Sequence, residues 1–231
     1  MLNRCHSNRR EQRGLSIVEF MIGITVGLLL LAGAINIFTT NLVNSRRLMT
    51  ETRVNQNLRA AADLITRDLR RAGYWGNAIQ GTTAVGAGAA AASNVYSGIS
   101  TPTSGAVVNY NFSRDITENN TLDNNEQFGY RLNNNSIEML VGAPSTWVAI
   151  TDPKVVTVDS LTIDTTNVRT MSLGYICPKT CNAGTPNCPS ITVRSYGLVI
   201  TGHSASDSSV TRRLETVVRP RTDQLQGQCP A

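Results

Sequence analysis

Arg13-Gly-Leu-Ser-Ile-Val-Glu-Phe-Met-Ile-Gly-Ile-Thr-Val-Gly-Leu-Leu-Leu-Leu-Ala-Gly33 is the stretch that decides the fold. It begins where a polar, basic segment ends: Arg4, Arg9, Arg10 and Arg13 lie before it, with Glu11 as the single acid. From Leu15 to Phe38 the chain is apolar apart from Ser16, Glu19, Thr25 and Asn36. As a helix this segment spans about 36 Å, enough to cross a bilayer core. By the positive-inside rule the basic segment stays cytoplasmic. Glu19 is the anomaly: a carboxylate at the centre of an apolar span costs on the order of 2.5–3.5 kcal/mol and usually marks function. The bland alternative is a carboxylate solvated at the headgroup level.

Beyond Phe38 the helical pattern continues. Asn41 to Arg71 contains no Pro or Gly, and Leu58, Ala61, Ile65, Leu69 and Ala72 recur at spacings of three or four. Arg59, Asp63, Arg67, Arg70 and Arg71 fall between them, as on an amphipathic helix. Gly73 is the expected stop. One helix is therefore expected from about Leu15 to Ala72. Gly81 to Ser93 is low-complexity, and Asn109 to Asn135 is rich in asparagine, which favours turns over regular structure. Ser136–Val141, Thr146–Ile150, Val155–Ile163, Ile191–Thr201 and Val210–Val218 then read as short strands separated by turn residues. The fold class expected is α+β, a long N-terminal helix packed on antiparallel sheet.

Charge argues against a nucleic-acid partner. The net charge is +5, but removing the first 14 residues leaves 17 basic residues against 15 acidic ones. Clustered basic charge, the driver of such binding, is then missing, and no specific nucleic-acid binding is expected. The arginines Arg46, Arg47, Arg53, Arg59, Arg67 and Arg70 read as a solvated or intersubunit-paired helix face. Lipid or DNA attraction is the rival use.

Of five cysteines, Cys5 sits in the basic leader, and Cys177, Cys181, Cys188 and Cys229 fall in the last quarter. Their company of Asn, Thr and Ser points to an exported domain with two disulfides, in any of three pairings. A zinc site at Cys177-x3-Cys181-x6-Cys188 is the rival, disfavoured by the lack of a local His. His203 and Asp207 lie in a Ser-rich turn and permit a Ser-His-Asp site on paper, but nothing else converges there. No catalysis, cofactor or metal is expected. Gly23 and Gly27 form a GxxxG that brings helices close or simply reflects the small residues common in such spans.

The string Arg13 to Gly33 resembles the class III signal of type IV prepilins, a basic leader ending in Gly followed by an apolar helix with Glu at its fifth position. The resemblance implies a prepilin peptidase that cuts after Gly14 and methylates the new N-terminus at Leu15. Glu19 would then neutralise the terminal ammonium of a neighbouring subunit. Leu15 departs from the commoner Phe. Asp68-Leu-Arg-Arg-Ala-Gly-Tyr74 resembles the helix end of PilW-type minor pilins, as does Arg212–Arg221, which also resembles the J-type pseudopilins of type II secretion. Asn77 stands where many PilW members carry a Cys.

The resemblance implies a domain plan of leader 1–14, membrane or filament-core half-helix 15–38, amphipathic half-helix 39–72 and periplasmic β-rich domain 73–231. It implies a minor subunit that primes type IV pilus assembly, supporting twitching motility, adhesion and DNA uptake. The partners implied are prepilin peptidase, other minor pilins, the major pilin and the inner membrane, with a tip adhesin as a further candidate. The location implied is a single-pass inner-membrane protein with its N-terminus cytoplasmic, later part of the pilus at the cell surface. A J-type pseudopilin is the runner-up. A third reading takes Ala32-Gly33-Ala34 as a signal-peptidase site that releases a soluble periplasmic binding domain.

Overall fold

The computed structural model describes residues 14, 16–81, 93–97, 99–100, 106–142, 146–185 and 187–230. The leader 1–13, with Cys5 and His6, lies outside them, as do Leu15 and most of the Gly/Ala-rich stretch. The chain is α+β, with one long N-terminal helix, α1 (Ile17–Leu69), and antiparallel sheets. It divides into two compact units, Met1–Met49 and Thr50–Ala231, described separately below.

Within the first unit every described helical side chain is exposed except Gly27, which is partly covered. Ile17 is 80% and Leu29 74% accessible, in a helix whose apolar window has a mean hydropathy of 2.2. This segment is long and apolar enough to cross a membrane, which fits a single-pass anchor. Its few polar side chains are kept quiet by the helix itself: the hydroxyl of Thr25 donates to the Ile22 carbonyl at 2.9 Å, and those of Thr39 and Thr40 donate to the Asn36 carbonyl.

The second unit takes the rest of α1 as its core helix. Val54, Leu58, Ala61, Ala62, Ile65 and Leu69 are buried at spacings of one, three or four residues, the apolar stripe that the sequence predicts. Full burial of a Leu or Ile side chain contributes about 1.5–3 kcal/mol, so the stripe anchors this half-helix firmly. The helix stops at Leu69, and a turn follows in which Gly73 takes φ +78 and donates its N–H to the Asn111 carbonyl at 2.8 Å. A Cβ there would also meet Thr222 Oγ1 at 3.0 Å, so the residue must be glycine on two counts.

Five strands form a meander in sheet order: β1 (Ile99–Ser100), β2 (Ala106–Asn111), β3 (Gln127–Asn133), β4 (Ser136–Val141) and β5 (Trp147–Ala149). Asn134 and Asn135, both at positive φ, make the two-residue turn from β3 to β4. A second sheet contains β6 (Val156–Ser172), β7 (Ser190–Ser204) and β8 (Asp207–Val218), with β9 (Gln224–Gln226) also paired on β7. On β7, Tyr196, Leu198, Ile200, Gly202 and Ser204 are buried in strict alternation. Gly202 lies so close to β6 that a Cβ would fall 2.8 Å from the Thr157 carbonyl oxygen. Both sheets contribute to one core with the helix, joining Tyr110, Tyr130 and Ile137 to Val156, Leu198 and Ile200.

Two expectations need correction. Asn109 to Asn135 is not mainly turn: it contains part of β2 and all of β3. The asparagines do make turns, with positive φ at Asn120, Asn134 and Asn135, but Tyr110, Phe112, Phe128 and Tyr130 override them. These rings stack across the two strands, with Phe112 and Phe128 centroids 4.4 Å apart, and their area burial outweighs local turn preference. The strands predicted near Val155–Ile163 and Ile191–Thr201 also run longer, as β6 and β7 pair onward from Asn167↔Ser195 to Ser172↔Ser190.

Candidate functional site

Two places stand out as candidate sites, one in each unit. The first is the exposed helix from Ile17 onward, with Glu19 in its first turn. An acid suits the positive end of a helix dipole, yet the surrounding side chains are Ile17, Val18, Phe20, Met21 and Ile22, all more than half accessible. A surface this apolar is unstable in water and has to be covered by lipid or by other helices. Glu19 is its single charged group up to Phe38. Gly23 and Gly27 have nothing within 4 Å of an added Cβ, so both are open to close approach by another helix. Gly14 is described and open, while Leu15, the other side of the expected cleavage, lies outside the described residues.

The second place is the polar junction where α1 ends. Here Glu118 accepts four hydrogen bonds. The Ser113 hydroxyl (2.6 Å) and the Gly76 N–H (3.1 Å) donate to Oε2; the Tyr96 hydroxyl (2.7 Å) and the Asn120 N–H (3.1 Å) donate to Oε1. Burial alone raises this carboxyl, but the four donations outweigh it and hold the group below the usual carboxylate range. Trp75 donates its indole N–H to Asn120 Oδ1 at 2.8 Å, extending the network. Below it, Asp68 on the buried helix face accepts the Tyr130 hydroxyl at 2.9 Å and the Tyr110 hydroxyl at 3.4 Å. Burial pushes both phenols well up, the Asp68 charge adds to it, and both remain neutral donors. Sequence reasoning placed Asp68 only within a motif and missed Glu118. One acid among several in an asparagine-rich loop, with Asp115, Asp123 and Glu126 close by, carries no periodic signal.

Cysteines close the far end of the sheet. Cys177 pairs with Cys229 and Cys181 with Cys188, spanning 52 and 7 residues. The first bond ties the tail after β9 to the segment after β6, and the second closes a short loop. Bonded sulfurs present no thiolates, so the zinc reading of Cys177, Cys181 and Cys188 falls. His203 directs Nδ1 to the Asp159 carboxylate at 2.9 Å, and Asp207 accepts from the Ser209 hydroxyl at 2.7 Å. The two residues that a hydrolytic triad would join are thus engaged with other partners.

No curated protein and no solved structure matches this chain. A family model described as prepilin peptidase-dependent protein B matches residues 47–220, about three quarters of the chain. The match begins after the apolar string, so it is independent of the signal from which the resemblance to prepilins was read. The buried helix face, the aromatic sheet and the arginine-rich C-terminal strand all lie inside it. An exposed apolar helix with a lone acid and a matched globular domain lead to the same place: the chain belongs to the prepilin peptidase-dependent protein B family and is a pilin-related protein.

Proposed function

We propose that this protein is a PilW-type minor pilin, a structural subunit that primes assembly of a type IV pilus. Prepilin peptidase cuts after Gly14 and methylates Leu15. The mature subunit waits in the inner membrane, held by the helix from Leu15 to Phe38, with its N-terminus at the cytoplasmic face and its globular unit in the periplasm. On assembly the helix leaves the bilayer for the core of the filament, where Glu19 pairs with the terminal ammonium of a neighbouring subunit. Its partners are prepilin peptidase, other minor pilins and the major pilin; it catalyses nothing itself.

One observation carries this reading: Glu19 is the only charged side chain between Leu15 and Phe38, on an apolar and exposed helical surface. A carboxylate there has no use to an isolated helix, and a partner's amine gives it one. The test is intact mass together with co-purification. The mature protein isolated from membranes begins at Leu15 and brings other minor pilins with it. A chain beginning after Ala34, recovered free in the periplasm, overturns the proposal.

A J-type pseudopilin is the second reading, favoured by the Arg212–Arg221 string. Co-purification with secretion pseudopilins in place of pilins selects it.

A further inference from the structure

Where α1 ends, Arg70 and Arg71 meet Arg221, 150 residues later in the chain, around a single cavity. Its volume is about 250 Å³, and Tyr74, Phe112, Ser113 and Thr222 complete the lining. The three arginines are brought together by the backbone. The Arg221 N–H donates to the Arg70 carbonyl at 3.0 Å, and the Thr222 hydroxyl donates to the Ala72 carbonyl at 2.6 Å. These bonds satisfy carbonyls at the helix end, so the guanidinium groups are not needed as caps there.

None of the three guanidinium groups has an ion pair or a side-chain hydrogen bond among the described residues, although five other arginines make ion pairs. Arg71 lies over the Phe112 ring, 4.7 Å from its centroid. That contact satisfies the guanidinium face and leaves its N–H groups without a hydrogen-bond partner among the described residues. Ser113 in the lining donates its hydroxyl to Glu118, whose oxygens also accept three other donors. Three guanidinium groups and no carboxylate line the cavity.

We propose that this cavity is an oxyanion site that takes a phosphomonoester. A dianion compensates more of that positive charge than a carboxylate does, and guanidinium forks bind phosphate through paired N–H donors. The volume accommodates a phosphate with a small substituent, below the size of a drug-like ligand. Neither the filament role nor the membrane helix requires such a site, and it stands if that role is wrong.

The experiment uses the full chain in non-ionic detergent at low salt, with phosphorus NMR following glycerol phosphate. A second arm presents phosphatidic acid in phosphatidylcholine nanodiscs, which separates a soluble source of phosphomonoester from a lipid one. Saturable binding is expected in at least one arm, weakened at least about tenfold in Arg71→Gln/Arg221→Gln. Binding should be unchanged in Arg213→Gln, whose arginine pairs with Glu215 elsewhere on β8. Arg221→Gln alone, which keeps its backbone N–H bond and all core residues, gives the answer should the double variant fold poorly. Acetate binding as tight as glycerol phosphate overturns the phosphate assignment. Absence of binding in both arms, or binding indifferent to Arg221→Gln, overturns the site.

Discussion

Replacing Glu118 with Gln is the most informative single change in the globular unit, because every atom that faces its carboxylate is a donor. An amide keeps one acceptor oxygen and turns an NH2 group toward the other pair of donors. A hydroxyl can rotate to accept from that NH2, but a backbone N–H cannot. One of Gly76 N–H or Asn120 N–H therefore loses its partner, and the remaining bonds change from a charged to a neutral acceptor. A hydrogen bond to a charged group contributes about 1.5–3 kcal/mol. Glu118 is only half-buried, so solvent softens the loss, and the expected cost at neutral pH is about 2–4 kcal/mol.

The pH dependence has a definite sign. The folded carboxyl is held below its unfolded value of about 4.3, so its contribution is complete above that value and is lost as pH falls through the folded one. The gap between wild type and Glu118→Gln should be full at neutral pH and shrink below about pH 4. Urea unfolding in non-ionic detergent, followed by Trp75 fluorescence in a Trp147→Phe background, reads this directly, since the indole belongs to the network. Other carboxylates titrate in both proteins and cancel in the difference. A cost below about 0.5 kcal/mol at neutral pH, or a gap that stays constant on acidification, refutes the argument.

Three further outcomes are expected. Gly14→Glu leaves full-length precursor in the membrane, checked by intact mass, whereas mature-sized protein from that variant removes the assigned cut. Glu19→Gln keeps leader cleavage, because the scissile bond is untouched, but lowers pilus number and cross-linking between cysteines engineered near Leu15 and in neighbouring pilins; unchanged values would favour the solvated-headgroup reading. Opening Cys177–Cys229 by double Ser substitution should cost about 4 kcal/mol in the same urea assay, and opening Cys181–Cys188 about 2 kcal/mol, from the lengths of the loops they close.

What could be read from the sequence depends on how local each signal is. The stripe Leu58, Ala61, Ile65, Leu69 and Ala72 is buried as its period demands, because a helix writes its buried face into one continuous window. β4 was legible to the residue, Ser136–Val141, because turn residues, Asn134–Asn135 before it and Gly142 after it, bracket the run. β2 and β3 were not. Their message is the pair Tyr110 and Phe112 against Phe128 and Tyr130, sixteen or more residues apart, while the asparagines between them speak locally for turns. When rings from two strands stack, cross-strand packing outweighs local propensity, and single-window reading has no access to that term. Disulfide pairing is non-local in the same way: four cysteines allow three pairings, and only the return of the tail beside β7 brings Cys229 to Cys177.

The same reasoning explains why the arginines of the helix end were read as surface. By helical period alone, Arg67, Arg70 and Arg71 belong to the outward face, and solvation accounts for them. Arg67 does behave that way, 68% accessible and 3.5 Å from Asp68. Arg70 and Arg71 are exposed as well, and they differ from Arg67 in lining one cavity with Arg221, which backbone and Thr222 hydrogen bonds hold at the helix end. Concentrating three like charges around one cavity costs stability through mutual repulsion. No carboxylate lines the cavity to offset that cost. A fold that tolerates such repulsion at a rigid, hydrogen-bonded junction gains from it only when an anion arrives. Neutralising Arg221 should therefore stabilise the isolated protein slightly in the urea assay while weakening phosphomonoester binding. A merely solvated arginine would show neither change, and an arginine needed for the fold would lower both together.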